Sequence, residues 1–326
     1  MGDGMGRGGG DGGRAGRVLS SILEAVGRTP LVELGRLRPA GAARIVAKVE
    51  ALNPSGSVKA RPALAMVRDA ERRGLLTPDS IIVEASSGNQ GIALSMVCAV
   101  LGYRVKIVMP RTMSPERQEI MQAYGAEVIL TEPGANISET LENALRRVRD
   151  LAAEDRRVFV TGQFDNPANP AAHRLTTAAE IVEQLGPGAR ADAFVAGVGT
   201  GGTLTGAGGA LKQAYPGLRV IAVEPAGAAL LSGGQVGDHI QQGIGDGIVP
   251  QVLDRGLIDE VIQVTDEDAV ATARLLARKE GLLVGVSAGS NVWAAMRVAE
   301  RLGDGKTVVT LCPDTGERYL SLDVLG

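Results

Sequence analysis

The sequence predicts an α/β protein of two domains, each a sheet flanked by helices. Apolar β-branched runs alternate with helical stretches along most of the chain, the rhythm of strands joined by crossover helices. Most of those runs are continuous rather than alternating, which marks parallel strands buried on both faces. The 326 residues suffice for one large or two medium domains, and the loop 163–170 offers a crossover between them. The expected division is a disordered Gly-rich tail over 1–17, a smaller domain over 53–163, and a larger one formed by 18–52 with 164–326.

A short helix is expected near 18–26. Thr29-Pro30 then breaks the chain, and 31–34 begins a short extended piece. Strand 44–49 leads through Asn53-Pro54-Ser55-Gly56-Ser57-Val58-Lys59-Ala60-Arg61 into an amphipathic helix over 58–73. Pro and Gly hold the turn there, and Ser55 or Ser57 is placed to cap the helix. Next come strand 80–85, helix 89–101, strand 104–109 and helix 114–124, the last with Pro115 at its first position. Strand 127–131, helix 136–154 and strand 158–161 follow. After the crossover the pattern repeats as helix 170–185, strand 193–197, helix 203–215 and strand 219–224. A Gly-rich loop separates these from strand 260–265, helix 266–280, helix 288–302 and strand 307–312.

Composition narrows the function classes. Hydrophobic residues make up 44% and charged residues 22% of the chain, ordinary for a soluble globular protein. A net charge of −3 leaves no electrostatic footprint for nucleic acid or an anionic membrane. No apolar run is long enough to span a bilayer; the 92–103 stretch is short and is followed by Arg104 and Lys106. Residues 1–17 lack the apolar centre of a signal peptide. Cys98 and Cys312 lie in apolar segments, as reduced core thiols of a cytoplasmic protein would. Two histidines without Cys/His spacing give a metal site little support.

Lys59 is the first chemical candidate. At the positive end of a helix its ammonium form is disfavoured by the dipole and by any burial. A lysine with a lowered pKa can form a Schiff base, although a lone first-turn lysine is usually only solvated. The run Gly197-Val198-Gly199-Thr200-Gly201-Gly202-Thr203, set between a strand and a helix, lets backbone amides cradle a phosphate. It also fits G-x-G-x-x-G with Glu224 closing the next strand, the arrangement of a dinucleotide site. A third run, Ser86-Ser87-Gly88-Asn89-Gln90-Gly91, offers hydroxyls, an amide and backbone N–H groups to a carboxylate or phenolic oxygen. Ser87 or Asn89 could instead serve as a plain helix cap, and Ser287 in Gly285-Val286-Ser287-Ala288-Gly289-Ser290 faces the same choice.

Five motifs occur in one order: Asn53 to Lys59, Ser86 to Gly91, Gln163-Phe164-Asp165-Asn166-Pro167-Ala168-Asn169-Pro170, Gly199 to Thr203, and Pro313-Asp314-Thr315-Gly316-Glu317-Arg318-Tyr319-Leu320-Ser321. Together they resemble the cysteine synthase (O-acetylserine sulfhydrylase) family of pyridoxal-phosphate enzymes, which includes cystathionine β-synthase. The resemblance runs from about residue 22 to 322. It implies the two-domain fold type II architecture, as in tryptophan synthase β, with pyridoxal 5′-phosphate as cofactor. By position it makes Lys59 the Schiff-base lysine and Asn89 the partner of the ring oxygen. Gly199, Thr200, Gly201, Gly202 and Thr203 become the phosphate cup, and Ser287 the partner of the pyridine nitrogen. Ser86, Ser87, Gln90 and Gln163 fall where the family binds the substrate carboxylate. The resemblance further implies a homodimer and, in some members, a serine acetyltransferase tail held in the cleft.

In the chemistry so implied, an amino-acid substrate displaces Lys59 and the freed amine removes the Cα proton. A β-leaving group then departs and a nucleophile adds. A neutral Ser287 cannot hold the ring nitrogen protonated, which weakens the electron sink and favours prompt β-elimination. O-acetylserine with sulfide, giving cysteine and acetate, is the main expectation. A specialised β-substitution using an amine or thiol is the alternative. An NAD-dependent dehydrogenase would leave Lys59 and Asn89 without work, and a catalytically silent paralogue would need a lost group where none is missing. The departures from the family pattern are Ala60 for Asp, Ser86 and Gln90 for Thr, Ala178-Ala179 for Gly-Pro, and Ala288, Ser290 and Asn291 for small hydroxyl or Ala residues. In Gly243-Ile244-Gly245-Asp246-Gly247, Asp246 replaces a small residue in a loop the family places near the cleft mouth. These changes bear on donor and nucleophile rather than on the cofactor.

Overall fold

Strands form where β-branched runs meet Gly or Pro punctuation, and they assemble into two separate sheets. The structure, a computed structural model, describes residues 18–322, 324 and 325; the tail expected over 1–17 lies outside them. β1 (Leu31–Glu33) and β2 (Arg44–Val49) lead into α1 (Ala60–Arg72). β3 (Ile81–Ala85), α2 (Asn89–Leu101), β4 (Arg104–Pro110), α3 (Pro115–Ala123), β5 (Glu127–Thr131), α4 (Ile137–Glu154) and β6 (Val158–Val160) then alternate. α5 (Ala168–Ala172) and α6 (Ala178–Leu185) are joined by a π turn over His173–Thr177. β7 (Ala193–Gly197), α7 (Gly209–Ala214) and β8 (Arg219–Pro225) follow, then β9 (Glu260–Val264), α8 (Asp266–Leu275), α9 (Val286–Leu302) and β10 (Thr307–Cys312).

The smaller sheet has the order β5-β4-β3-β6 and is parallel throughout. The larger has the order β1-β2-β10-β7-β8-β9, parallel except for the short edge strand β1. Because successive side chains point to opposite faces, each strand serves two cores. Ile82 and Ile107 pack with Ile92 and Leu94 of α2, whereas Val83 and Val108 pack with Ala144 and Val148 of α4. In the larger sheet, Val195 and Ile221 meet Val292 and Ala295 of α9, while Phe194 and Val220 meet Ile181 and Leu211 on the other face. Each fully buried Val, Ile, Leu or Phe contributes roughly 1.5–3 kcal/mol, so two-sided burial is what fixes strand register. Among the described residues no helix is long and apolar enough to cross a membrane.

The local corrections are small and have physical causes. The helix expected at 18–26 is one 3₁₀ turn, Ile22–Ala25, and the helices expected at 203–215 and 266–280 contain the π turns Leu204–Gly208 and Leu276–Glu280. Capping differs more. Lys59 itself is the N-cap residue of α1 and makes no side-chain cap, while Ser57 Oγ accepts from the Lys59 N–H at 3.3 Å. At α2 the N-cap is Gly88, and it is Ser86 Oγ that accepts from the amides of Gly88 and Gly91 at 3.1 and 2.9 Å; neither Ser87 nor Asn89 caps. Ser287 is the second residue of α9, behind the N-cap Gly285.

A buried charge network anchors the turn that carries Lys59. Arg61 donates to both Glu50 oxygens at 2.7 and 2.8 Å and to both Glu180 oxygens at 2.6 and 2.7 Å. Lys48 pairs with Glu180 at 2.7 Å, and Asn53 Nδ2 donates to Glu50 Oε2 at 2.8 Å. β2, α1 and α6 thereby hold one another around Asn53, six residues before Lys59.

Candidate active site

The parallel strands of both sheets end at one place, and the loops leaving those ends enclose a cavity of about 400 Å³. That is where ligands gather in α/β proteins. Lys59 lines it from the turn after β2, Ser86, Ser87, Asn89 and Gln90 from the turn after β3, and Gly199, Thr200, Gly201 and Thr203 from the turn after β7. Every residue expected at the site lines the cavity except Gly202. Burial lowers the pKa of Lys59, with Asp246 and Asp314 opposing the shift. The free amine is therefore more accessible there than in water.

The 199–203 loop can only be glycine-rich. A Cβ on Gly199 would stand 2.2 Å from the Gly243 carbonyl oxygen, and one on Gly202 would stand 2.0 Å from Asn169 Oδ1. The two hydroxyls of the loop are tied to α5 and to the π turn that follows it. Asn169 Nδ2 donates to Thr200 Oγ1 at 3.0 Å, and Thr203 Oγ1 lies 3.3 Å from His173 Nε2. Burial pushes His173 well below the usual histidine range, with Arg61 and Lys59 adding to the effect. Its ring is thus neutral.

In the 86–90 loop, Asn89 Nδ2 donates to Asp314 Oδ2 at 2.7 Å, and its Oδ1 accepts from Arg318. An amide nitrogen carries two hydrogens, so one remains for a ligand. Gln90 is 2% exposed, and neither end of its amide has a partner. An orphaned buried amide at a cavity wall costs about 1–3 kcal/mol unless something pairs with it. Gln163 Nε2 donates to the Ala85 carbonyl at 2.8 Å, and its backbone N–H donates to Glu84 Oε2 at 3.0 Å. Glu84 also accepts from Thr161 Oγ1 and the Ala85 N–H, so one buried carboxylate braces the chain at the ends of both β3 and β6.

Sequence reasoning missed several participants. Asn169 and His173 stand behind the phosphate loop, and Asp314 positions Asn89 while accepting from Tyr319 Oη at 2.7 Å. Asn169 and Asp314 lie inside quoted motifs, but a motif does not say which side chain reaches which. Asn291 was singled out only as a substitution; its Oδ1 accepts from Gly197 N at 2.7 Å and its Nδ2 donates to Leu311 O at 3.1 Å, joining the ends of β7 and β10. Glu224 does not line the cavity. It is spent on the Leu231 and Ser232 amides, which removes the acidic group a dinucleotide site needs. Cys98 and Cys312 are buried free thiols, both pushed up to about 12 by burial, and are core residues as expected.

Residues 22–314 match the model of the family described as "Pyridoxal-phosphate dependent enzyme". The chain belongs to that family. It is 47% identical over 311 residues to a probable cysteine synthase of Bacillus subtilis, an alignment covering 94% of this chain and 98% of that one. Among solved structures, an O-ureido-L-serine synthase superposes with a TM-score of 0.89 at 45% identity, covering 94% of this chain and 95% of that one. A cysteine synthase from Entamoeba histolytica superposes with a TM-score of 0.88 at 41% identity, covering 98% and 94%. The fold is thus that of fold type II pyridoxal-phosphate enzymes. The cavity fits the family's cofactor: it presents an amine of lowered pKa, a spare Asn89 N–H, and a glycine cradle in which a Cβ would collide with Gly243 or Asn169.

Proposed function

We propose that the chain performs β-replacement on an O-activated L-serine, converting O-acetyl-L-serine and sulfide to L-cysteine and acetate. The observation that carries this is the convergence of Lys59, the 86–90 loop and the 199–203 loop on one cavity. Pyridoxal phosphate, when bound, supplies an electron sink for the charge left at the substrate Cα. Lys59 would hold its aldehyde carbon, Asn89 its ring oxygen, Ser287 its ring nitrogen, and Gly199, Thr200, Gly201, Gly202 and Thr203 its phosphate. The amides and hydroxyls of Ser86, Ser87 and Gln90, with Gln163, fix the substrate carboxylate and so orient the Cα–H bond. Lys59 Nζ takes the Cα proton, the Cβ–O bond breaks, and acetate leaves with the electron pair. Hydrosulfide sulfur then bonds to Cβ, and Lys59 returns a proton to Cα. The homodimer and the serine acetyltransferase contact belong to the same proposal and are supported by family membership alone.

A second reading, β-substitution with an amine or another thiol, is favoured by Gln90 at a position where the cysteine synthase pattern has Thr. One experiment separates the two. The purified protein receives O-acetyl-L-serine with sulfide, then with a panel of thiols, hydroxylamines and amines, and products are identified by mass spectrometry. The main reading requires the highest kcat/KM with sulfide. A preference of ten-fold or more for another nucleophile would select the second reading.

A further inference from the structure

The 199–203 loop is backed by two π turns that pack against each other, His173–Thr177 after α5 and Leu204–Gly208 just beyond Thr203. Such segments are rare and gather at functional sites. Gly206 sets the spacing: a Cβ there would stand 2.0 Å from the Pro170 carbonyl oxygen and 2.9 Å from His173 Cβ. This close approach puts the buried His173 ring between two hydroxyls. Its Nδ1 lies 3.0 Å from Thr177 Oγ1, and its Nε2 lies 3.3 Å from Thr203 Oγ1. Thr177 is fully buried, and its hydroxyl has no other partner among the described residues. Thr203 lines the cavity.

Donors and acceptors along this chain balance in only one arrangement. A neutral imidazole has one N–H and one bare nitrogen, and burial keeps this ring neutral. With the proton on Nδ1, Thr177 would accept and leave its own hydrogen buried without an acceptor, which is costly. Thr203 would then spend its hydrogen on Nε2 and show only lone pairs to the cavity. With the proton on Nε2, Thr177 donates to Nδ1 and the ring donates to Thr203 Oγ1. The Thr203 hydrogen is then left for a ligand. Thr200 is handled in the same way from behind. Asn169 Nδ2 donates to Thr200 Oγ1 at 3.0 Å, and the Gly202 N–H donates to the same oxygen at 3.4 Å. A hydroxyl has two lone pairs, so Thr200 keeps only its hydrogen to offer.

We infer that His173 holds its proton on Nε2 and, together with Asn169, fixes both hydroxyls of the loop as donors, so that the loop takes a group that only accepts hydrogen bonds. The inference rests on reading this loop as the cofactor's phosphate cup, and it makes His173 a positioning residue of that cup. Histidine labelled with 15N reports the tautomer directly, because the chain has only His173 and His239 and His173→Gln assigns the signals. In the cofactor-loaded protein His173 shows a protonated Nε2 and a bare Nδ1. The opposite tautomer, or a doubly protonated ring, overturns the inference. Dissociation constants then compare pyridoxal phosphate with pyridoxal, which has an alcohol in place of the phosphate. His173→Phe weakens pyridoxal phosphate about ten-fold, the scale of one hydrogen bond to a charged group, and leaves pyridoxal unchanged. His173→Gln, whose amide can still donate to Thr203, recovers most of that loss. Equal losses for both ligands in His173→Phe overturn the positioning role. A parent that binds the two ligands equally overturns the phosphate reading of the loop and this inference with it, whichever tautomer the ring shows.

Discussion

Lys59 and Glu84 feel the same force in opposite directions. Burial disfavours the charged form of each, so the lysine is pushed down and the carboxyl is pushed up. Glu84 is 1% exposed, and burial raises it from 4.5 to about 7 against the opposing hydrogen bonds from Thr161, Gln163 and Ala85. Between those two values the folded chain keeps a proton that the unfolded chain has lost. Stability from this group is therefore present below pH 4.5, falls as pH rises toward 7, and stays lower above it. The total loss is about 3 kcal/mol. Glu84→Gln should remove most of that dependence, which urea midpoints at pH 5 and pH 8 would measure. A variant with the parent's pH slope would show that Glu84 is not the group titrating.

At the scale of elements, α1 is held to β2 and α6 by a network in which Arg61 and Glu50 have side chains 1% and 0% exposed. Removing one partner of such a pair leaves a buried charge unpaired, a loss of about 3–5 kcal/mol. Arg61→Ala should therefore lower the denaturation free energy by that amount, and Glu50→Leu added to it should recover part. A loss under about 1 kcal/mol, the range of exposed pairs, would mean the network is solvated. This network was not legible in the sequence, because Lys48, Glu50, Arg61 and Glu180 meet only after β2, α1 and α6 have packed. The elements themselves were legible where one signal dominates. β2, β5, β7, β10 and α2 have the bounds expected from the sequence. The π turns were not, since a shift from i+4 to i+5 bonding changes no hydrophobic period. Nor were the caps: Ser87 and Ser287 have the right chemistry, but the chain turns one or two residues away from them.

At the scale of the molecule, two sheets bring together around one cavity residues from Val58 to Pro313. The motifs proposed to carry the cofactor were legible because each sits in a loop after a parallel strand. The residues that brace them, such as Asn169 behind Thr200 and Asp314 beside Asn89, became identifiable only through distances. The proposed chemistry depends above all on Lys59 carrying the cofactor. The direct measurement supplies the purified protein with pyridoxal phosphate, reduces it with borohydride and maps its peptides by mass spectrometry. The predicted result is a cofactor adduct on the peptide containing Lys59, absent from Lys59→Ala. An adduct on another lysine, or none on a protein that keeps its fold, would contradict it.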